Sequence, residues 1–127
     1  MGQQNPTVMV SLGGNAISPK NESGTIDEQF AHTRESLAAV MGFVKRRYNI
    51  CISHGNGPQV GAELQRNELT QEVIPPLPLG VLVANTQGAI GYMIQQSLQN
   101  ALYTEDANRE VVSIISQVKV DKDDPAL

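Results

Sequence analysis

An α/β fold with parallel strand pairing is expected for this chain, on two observations. Short β-branched and apolar runs alternate with longer helical patterns in the order strand, helix, strand, helix, helix, strand, which argues for right-handed crossovers between parallel strands. The 127 residues are 40% hydrophobic and 17% charged, enough apolar material for one core and too little charge for a disordered chain.

The first run, TVMVSL at Thr7–Leu12, reads as a buried strand stopped by Gly13 and Gly14. A polar loop over 15–24 follows, with Pro19 and Gly24 as breakers. Thr25 and Glu28 have the spacing of a capping box, in which each side chain meets the other residue's backbone N–H. Behind them Ile26, Phe30, Leu37, Val40, Met41 and Val44 recur at helical spacing with Thr33 in the gap, so one helix is expected as far as Val44. Lys45, Arg46 and Arg47 suit its last turn, where cations favour the dipole, and Asn49 its C-cap.

ICIS at 50–53 reads as the second strand, with Cys51 as a buried, inert thiol. Pro58 then opens a helix reaching about Leu69. Pro75, Pro76 and Pro78 break the chain, and an uncharged helix follows over about 79–103. That helix has a small-residue face of Gly80, Ala84, Gly88 and Gly91, while Met93, Ile94, Leu98 and Leu102 are its expected core contacts. EVVSIISQVKV at 110–120 reads as a third strand.

Composition narrows the function. A net charge of -4 with no basic stripe argues against a nucleic-acid partner. A single cysteine excludes an internal disulfide framework and a cysteine-rich zinc site, and it suits a reducing cytoplasm. The uncharged stretch over 73–104 is interrupted by Asn85, Thr86, Gln87, Gln95 and Gln96, so it is not a membrane span. The first residues carry no signal pattern, and Pro6 spoils a myristoylation match at Gly2.

The chemistry is expected in two loops, Gly13-Gly14-Asn15 and His54-Gly55-Asn56-Gly57-Pro58, each directly after a strand. In a parallel sheet the carboxyl ends of the strands gather on one edge, where ligands bind. Glycine leaves backbone N–H groups approachable, and the second loop opens into a helix N-terminus, which favours anions such as phosphate or carboxylate. The run Gly55-Asn56-Gly57-Pro58-Gln59-Val60-Gly61 approaches a dinucleotide fingerprint, so a dinucleotide-binding module is an alternative. The acidic residue expected about 20 positions on is replaced there by the proline-rich segment. A Walker A loop is excluded because G-K-[ST] occurs nowhere. His54 is expected to fix its loop by a hydrogen bond rather than act as acid or base. His32 is expected at the surface, Lys20 on a solvated loop, and Asp121, Asp123 and Asp124 in a solvated turn with no metal.

Four motifs together resemble the amino-terminal part of the carbamate kinases, within the amino acid kinase family: MVSLGGNAI (9–17), ISHGNGPQVG (52–61), TQGAIGYMIQQSL (86–98) and SQVKVDKDDPAL (116–127). The resemblance implies a three-layer α/β/α sandwich around a mainly parallel sheet, acting as a cytoplasmic homodimer with no membrane or nucleic-acid partner. It implies reversible phosphoryl transfer between ATP and carbamate, usually run as ATP synthesis from carbamoyl phosphate and ADP in arginine and nitrogen catabolism. By similarity, Gly13, Gly14 and Asn15 would line the transferring phosphoryl group as the catalytic set. Gly55, Asn56 and Gly57 would hold carbamate or carbamoyl phosphate. Magnesium would arrive with ATP or ADP, and no residue here is assigned to a metal. Residues 1–127 would form the carbamate-binding lobe without a nucleotide-binding lobe, so the chain alone is expected to be inactive. A non-catalytic fragment that binds phosphate or carbamoyl phosphate, or dimerises through the uncharged helix, is the alternative. Ser11 stands where the wider family often has lysine, and Gly80 where an aspartate is expected.

Overall fold

The computed structural model describes residues 4–125; Gly2 and the last two residues of the 116–127 motif lie outside them. Two strands, β1 (Thr7–Leu12) and β2 (Asn49–His54), pair in parallel from Thr7↔Asn49 to Leu12↔His54. Side chains alternate across a strand, and here Val10, Leu12, Ile50 and Ile52 turn to the core. Met9, 66% exposed, and Cys51 turn to the opposite face. The expectation of a buried Cys51 is therefore corrected: its position in the alternation places it on the uncovered side. Among the described residues helices cover one face of the sheet, which gives two of the three expected layers.

After β1 the chain makes one helical turn, α1 (Gly14–Ile17), where a plain loop was expected, and this turn buries Ile17 at 1% exposure. The helix α2 (Ile26–Ala38) starts at the expected capping box: the Thr25 N–H donates to Glu28 Oε2 at 2.8 Å and the Glu28 N–H to Thr25 Oγ1 at 3.4 Å. Its apolar stripe holds at Thr33, Leu37 and Val40, but Ile26 is 56% exposed. The expected single helix is broken. Val40 N–H bonds back to Leu37 O at 3.0 Å, a tightened turn, and the chain restarts as α3 (Met41–Lys45). Asn49 is not the cap but the first residue of β2; Arg46 caps α3, and Arg47 takes φ 61.

Beyond β2 lie α4 (Gly57–Thr70) and the long α5 (Leu79–Thr104), with Pro at the start of the first and the proline cluster between them. Leu37, Val40 and Val44 meet Ile90, Met93, Ile94, Leu98 and Leu102 of α5 in one core. Each buried aliphatic side chain of this kind contributes roughly 1.5–3 kcal/mol of transfer free energy.

The expected third strand at 110–120 does not form; the described sheet has two strands. The stretch is instead tied to α5 by side chains. Gln99 accepts from Val111 N at 3.1 Å and donates to Arg109 O at 3.1 Å, while Gln87 accepts from Ser116 N at 2.9 Å. From Gln87 to Gln99 a helix rises about 18 Å. Covering that length within five or six residues leaves the chain close to fully stretched, since about 3.3–3.6 Å per residue is the limit. The small-residue face of α5 makes room for it: a Cβ on Gly91 would lie 3.1 Å from Ser113.

Candidate functional site: two glycine loops beside a cavity

The parallel register puts Leu12 opposite His54, so the chain leaves both strands side by side into the two glycine loops. Gly55 N–H donates to Leu12 O at 3.4 Å. A Cβ built on Gly14 would sit 3.5 Å from Pro58 Cδ, which places the first loop against the start of α4. Among the described residues, no hydrogen bond uses the amides of Gly13, Gly14, Asn15, Asn56 or Gly57. The Gly55 amide is taken up by the sheet, so Gly55 brings only its bare Cα.

None of these glycines is required by backbone conformation, because Gly24 is the one described glycine with positive φ. Nor does the protein crowd them: a Cβ on Gly13, Gly55 or Gly57 would meet nothing within 4 Å. The space over the loops is open, and the amides beneath it are unpaired. Backbone donors held in this way are suited to anionic oxygens.

Asn56 behaves differently from its glycine neighbours. Its side-chain Nδ2 donates to Thr86 Oγ1 at 2.9 Å and to Val83 O at 3.3 Å, pinning the loop to α5. Thr86 is 3% exposed and its hydroxyl is also within reach of the Leu82 and Val83 carbonyls. The backbone N–H of Asn56 is left to face a ligand. His54 meets the expectation for it, with Nδ1 3.2 Å from Gly55 O.

A cavity of about 620 Å³ opens next to the loops, between residues 18–25, the start of α4 and the middle of α5. Asn15 and Pro58 reach its wall, Ile90 and Met93 form apolar floor, and its charged lining balances Lys20 and Arg66 against Glu22 and Glu63. Gly13, Gly14, Gly55, Asn56 and Gly57 stand at the sheet edge beside the cavity rather than in its wall. The sequence pattern gave no sign of Arg66, which pairs with Glu63 on α4. Lys20, expected on a solvated loop, does sit at this wall.

A relay of amides holds the loop over the cavity. Gln29 Nε2 donates to Gly24 O at 2.8 Å, and Gln59 Nε2 donates to Gln29 Oε1 at 3.0 Å. His32 adds a second tether, with Nε2 2.7 Å from Glu22 Oε2. Hydrogen bonding to that carboxylate, with its negative charge adding to the effect, raises the His32 pKa above the ordinary histidine value.

Carbamate kinase from Pyrococcus horikoshii is 44% identical over 121 residues, which cover 94% of this chain and 38% of that protein. The chain is homologous to the amino-terminal part of the carbamate kinases.

Solved structures agree. The carbamate kinase of Giardia lamblia bound to AMP-PNP superposes with a TM-score of 0.78 at 34% identity, over 83% of this chain and 37% of that one. A crystal structure from Aeropyrum pernix K1 reaches a TM-score of 0.85 at 32% identity, over 93% of this chain and 38% of that one. No protein-family model matches the chain. The chain spans a little over a third of the length of the carbamate kinases it matches. The α/β expectation with a parallel sheet holds in both the fold and its neighbours.

Proposed function

We propose that residues 1–127 form the carbamate-side lobe for phosphoryl transfer between ATP and carbamate. The observation that carries this reading is the pair of adjacent glycine loops, whose unpaired amides lie under open space at the carboxyl edge of the sheet. Phosphoryl transfer asks little covalent chemistry of the protein; it asks for positioning and for charge neutralisation. The amides of Gly13, Gly14 and Asn15 hold the oxygens of the transferring group. Those of Asn56 and Gly57, with Gly55 leaving room above them, hold the carbamate end. Donors fixed before the reaction cost no reorganisation when charge moves.

ATP or ADP with Mg²⁺ is the cofactor this reading requires. The free amides fit a phosphoryl group, and the nucleotide base and ribose are assigned to the portion of the relatives that this chain does not span. Among the described residues no group of three His, Cys, Asp or Glu comes together, so the ion is not assigned to side chains of this chain and no step is derived through it. Homodimer formation, a cytoplasmic place and a role in arginine and nitrogen catabolism belong to the same reading.

Calorimetric titration with inorganic phosphate and with carbamoyl phosphate tests it. Heat of binding is expected for the chain and loss of that heat for Gly55→Val, whose side chain fills the open space. Equal heats for both proteins would remove the loop from the site. ATP formation from carbamoyl phosphate and ADP is expected to be absent for the chain alone; a rate comparable to that of a full-length carbamate kinase would overturn the half-site reading.

A further inference from the structure

We propose that Asn56–Gly57 is the point at which this chain undergoes spontaneous deamidation, and that the tether from Asn56 to α5 holds the reaction off in the folded state. The inference concerns the covalent chain and needs no bound ligand.

The sequence singles out the position. Of nine asparagines, Asn56 is the one followed by glycine; the others precede Pro, Ala, Glu, Ile, Thr or Arg. Deamidation begins when the backbone nitrogen of the next residue attacks the side-chain amide carbon and closes a five-membered ring. A Cβ on that next residue shields the nitrogen and restricts its backbone, and glycine does neither.

The structure leaves the nucleophile open and restrains its approach. Gly57 is exposed, a Cβ built on it would meet nothing within 4 Å, and among the described residues its N–H makes no hydrogen bond. Water and base therefore reach it. Asn56 has ψ 15, which nearly eclipses Gly57 N with the Asn56 nitrogen and turns it away from the Asn56 Cβ. Ring closure needs Gly57 N on the Cβ side of the Cα–C bond. That rotation swings the Asn56 carbonyl round, and the carbonyl accepts the first bond of α4, from Val60 N–H at 2.9 Å. The electrophile is held as well, because Nδ2 donates to Thr86 Oγ1 at 2.9 Å and to Val83 O at 3.3 Å. The two halves of the reacting pair are thus fixed on different helices, and both must be released in one local opening.

The step balances with water as the only co-reactant. Gly57 N gives its proton to solvent base and bonds to Asn56 Cγ. The Cγ–Nδ2 bond breaks, and the nitrogen takes up a proton from water and leaves as ammonia. A water molecule then opens the ring at one of its two carbonyls, giving aspartate or isoaspartate at position 56. One water is consumed, one ammonia is released, and nothing is oxidised or reduced. A carboxylate has no N–H to donate to Thr86 Oγ1 or Val83 O, so the loop loses its anchor. The product also places negative charge at a loop that the proposed function gives to an anion; that consequence alone rests on the proposed function.

Peptide mapping by mass spectrometry, with isoaspartate-specific methylation, follows the reaction at each asparagine of the 127-residue chain. In the chain unfolded in urea, conversion is expected to be fastest at Asn56. In the folded chain at the same pH and temperature, Asn56 is expected to convert at least about tenfold more slowly. Thr86→Val removes one acceptor and is expected to convert roughly two- to tenfold faster than the folded parent, beyond what its unfolded fraction explains. Thr86→Ser, which keeps the hydroxyl, is expected to stay near the parent. Equal rates at Asn56 in the folded and unfolded chains overturn the inference, as does faster conversion at another asparagine in the unfolded chain. So does a Thr86→Val rate that matches the parent once its unfolded fraction is allowed for. If Thr86→Val does not fold, the parent decides by itself. In urea below the unfolding transition, conversion at Asn56 and amide exchange at Val60 should rise together, and conversion that rises while Val60 stays protected overturns the inference.

Discussion

The Asn56 side-chain amide donates to the Thr86 hydroxyl at 2.9 Å, so a residue of the second glycine loop is anchored in the middle of the longest helix. The Thr86 hydroxyl has carbonyls of its own helix within reach and is not stranded if Asn56 is removed. Asn56→Ala removes the bond to Thr86 and the one to Val83 O, and is therefore expected to cost roughly 1–3 kcal/mol of stability, at about 0.5–1.5 kcal/mol for each hydrogen bond. The larger effect is expected on ligand binding, since the loop loses its fixed position. Urea unfolding and phosphate titration of the same variant separate the two. A stability loss with unchanged phosphate affinity would show that the anchor does not shape the site.

Alanine at Gly13, Gly55 or Gly57 is expected to leave stability within about 0.5 kcal/mol of the parent, as surface substitutions without special strain do. No positive φ and no close neighbour opposes a methyl group there. Phosphate affinity should nevertheless fall, most at Gly13 and Gly57, whose amides are unpaired. Thermal melts alongside calorimetry check this; a melting loss large enough to account for weaker binding would make these glycines structural.

Two helices end in the same way without the usual glycine. Arg47 N–H bonds to Val44 O and Tyr48 N–H to Phe43 O; Asp106 N–H bonds to Tyr103 O and Ala107 N–H to Leu102 O. This is the Schellman arrangement, which places the residue after the cap in the left-handed region. Arg47 has φ 61 and Asp106 φ 51. Arg47→Gly is expected to stabilise the chain by about 0.5–1 kcal/mol, because a side chain in that region costs roughly 1–2 kcal/mol. The gain at Asp106→Gly is expected to be smaller, since aspartate tolerates the conformation better. Denaturant midpoints of the two variants give both values.

The His32–Glu22 contact predicts a pH dependence. Glu22 raises the folded-state pKa of His32 above its unfolded value. The contribution is therefore complete below the unfolded histidine pKa of about 6.5 and is lost as pH rises through the higher folded value. Proton NMR of the His32 ring should show the raised midpoint, and Glu22→Gln should return it towards the ordinary value. Release of the tether at alkaline pH should also speed amide exchange in residues 18–24. A midpoint unmoved by Glu22→Gln would remove that carboxylate as the cause.

Where local chemistry sets the outcome, the sequence was readable. Thr25 and Glu28 form the capping box their spacing implies, Pro58 opens α4, and the proline cluster divides α4 from α5. The two loops could be placed together because parallel strands gather their carboxyl ends. What could not be read depends on neighbours. Residues 110–120 have strand composition, but a strand is a relation between two chains and here the second is missing from the described sheet. Cys51 looked buried because its run is apolar, yet one bare sheet face is enough to expose every second residue. Arg66 and Lys20 meet at one cavity from different segments, and no spacing rule links positions so far apart.

The ladder between β1 and β2 has a consequence for how such a chain can vary over generations. Leu12 and His54 are partners because Val10, Ile52 and their neighbours must all face inward together. A single inserted residue in either strand would turn its greasy side to water and drag one glycine loop out of step with the other. Insertions among residues 18–24 would disturb neither. Drift is thus steered away from the paired strand ends and into the loop over residues 18–24.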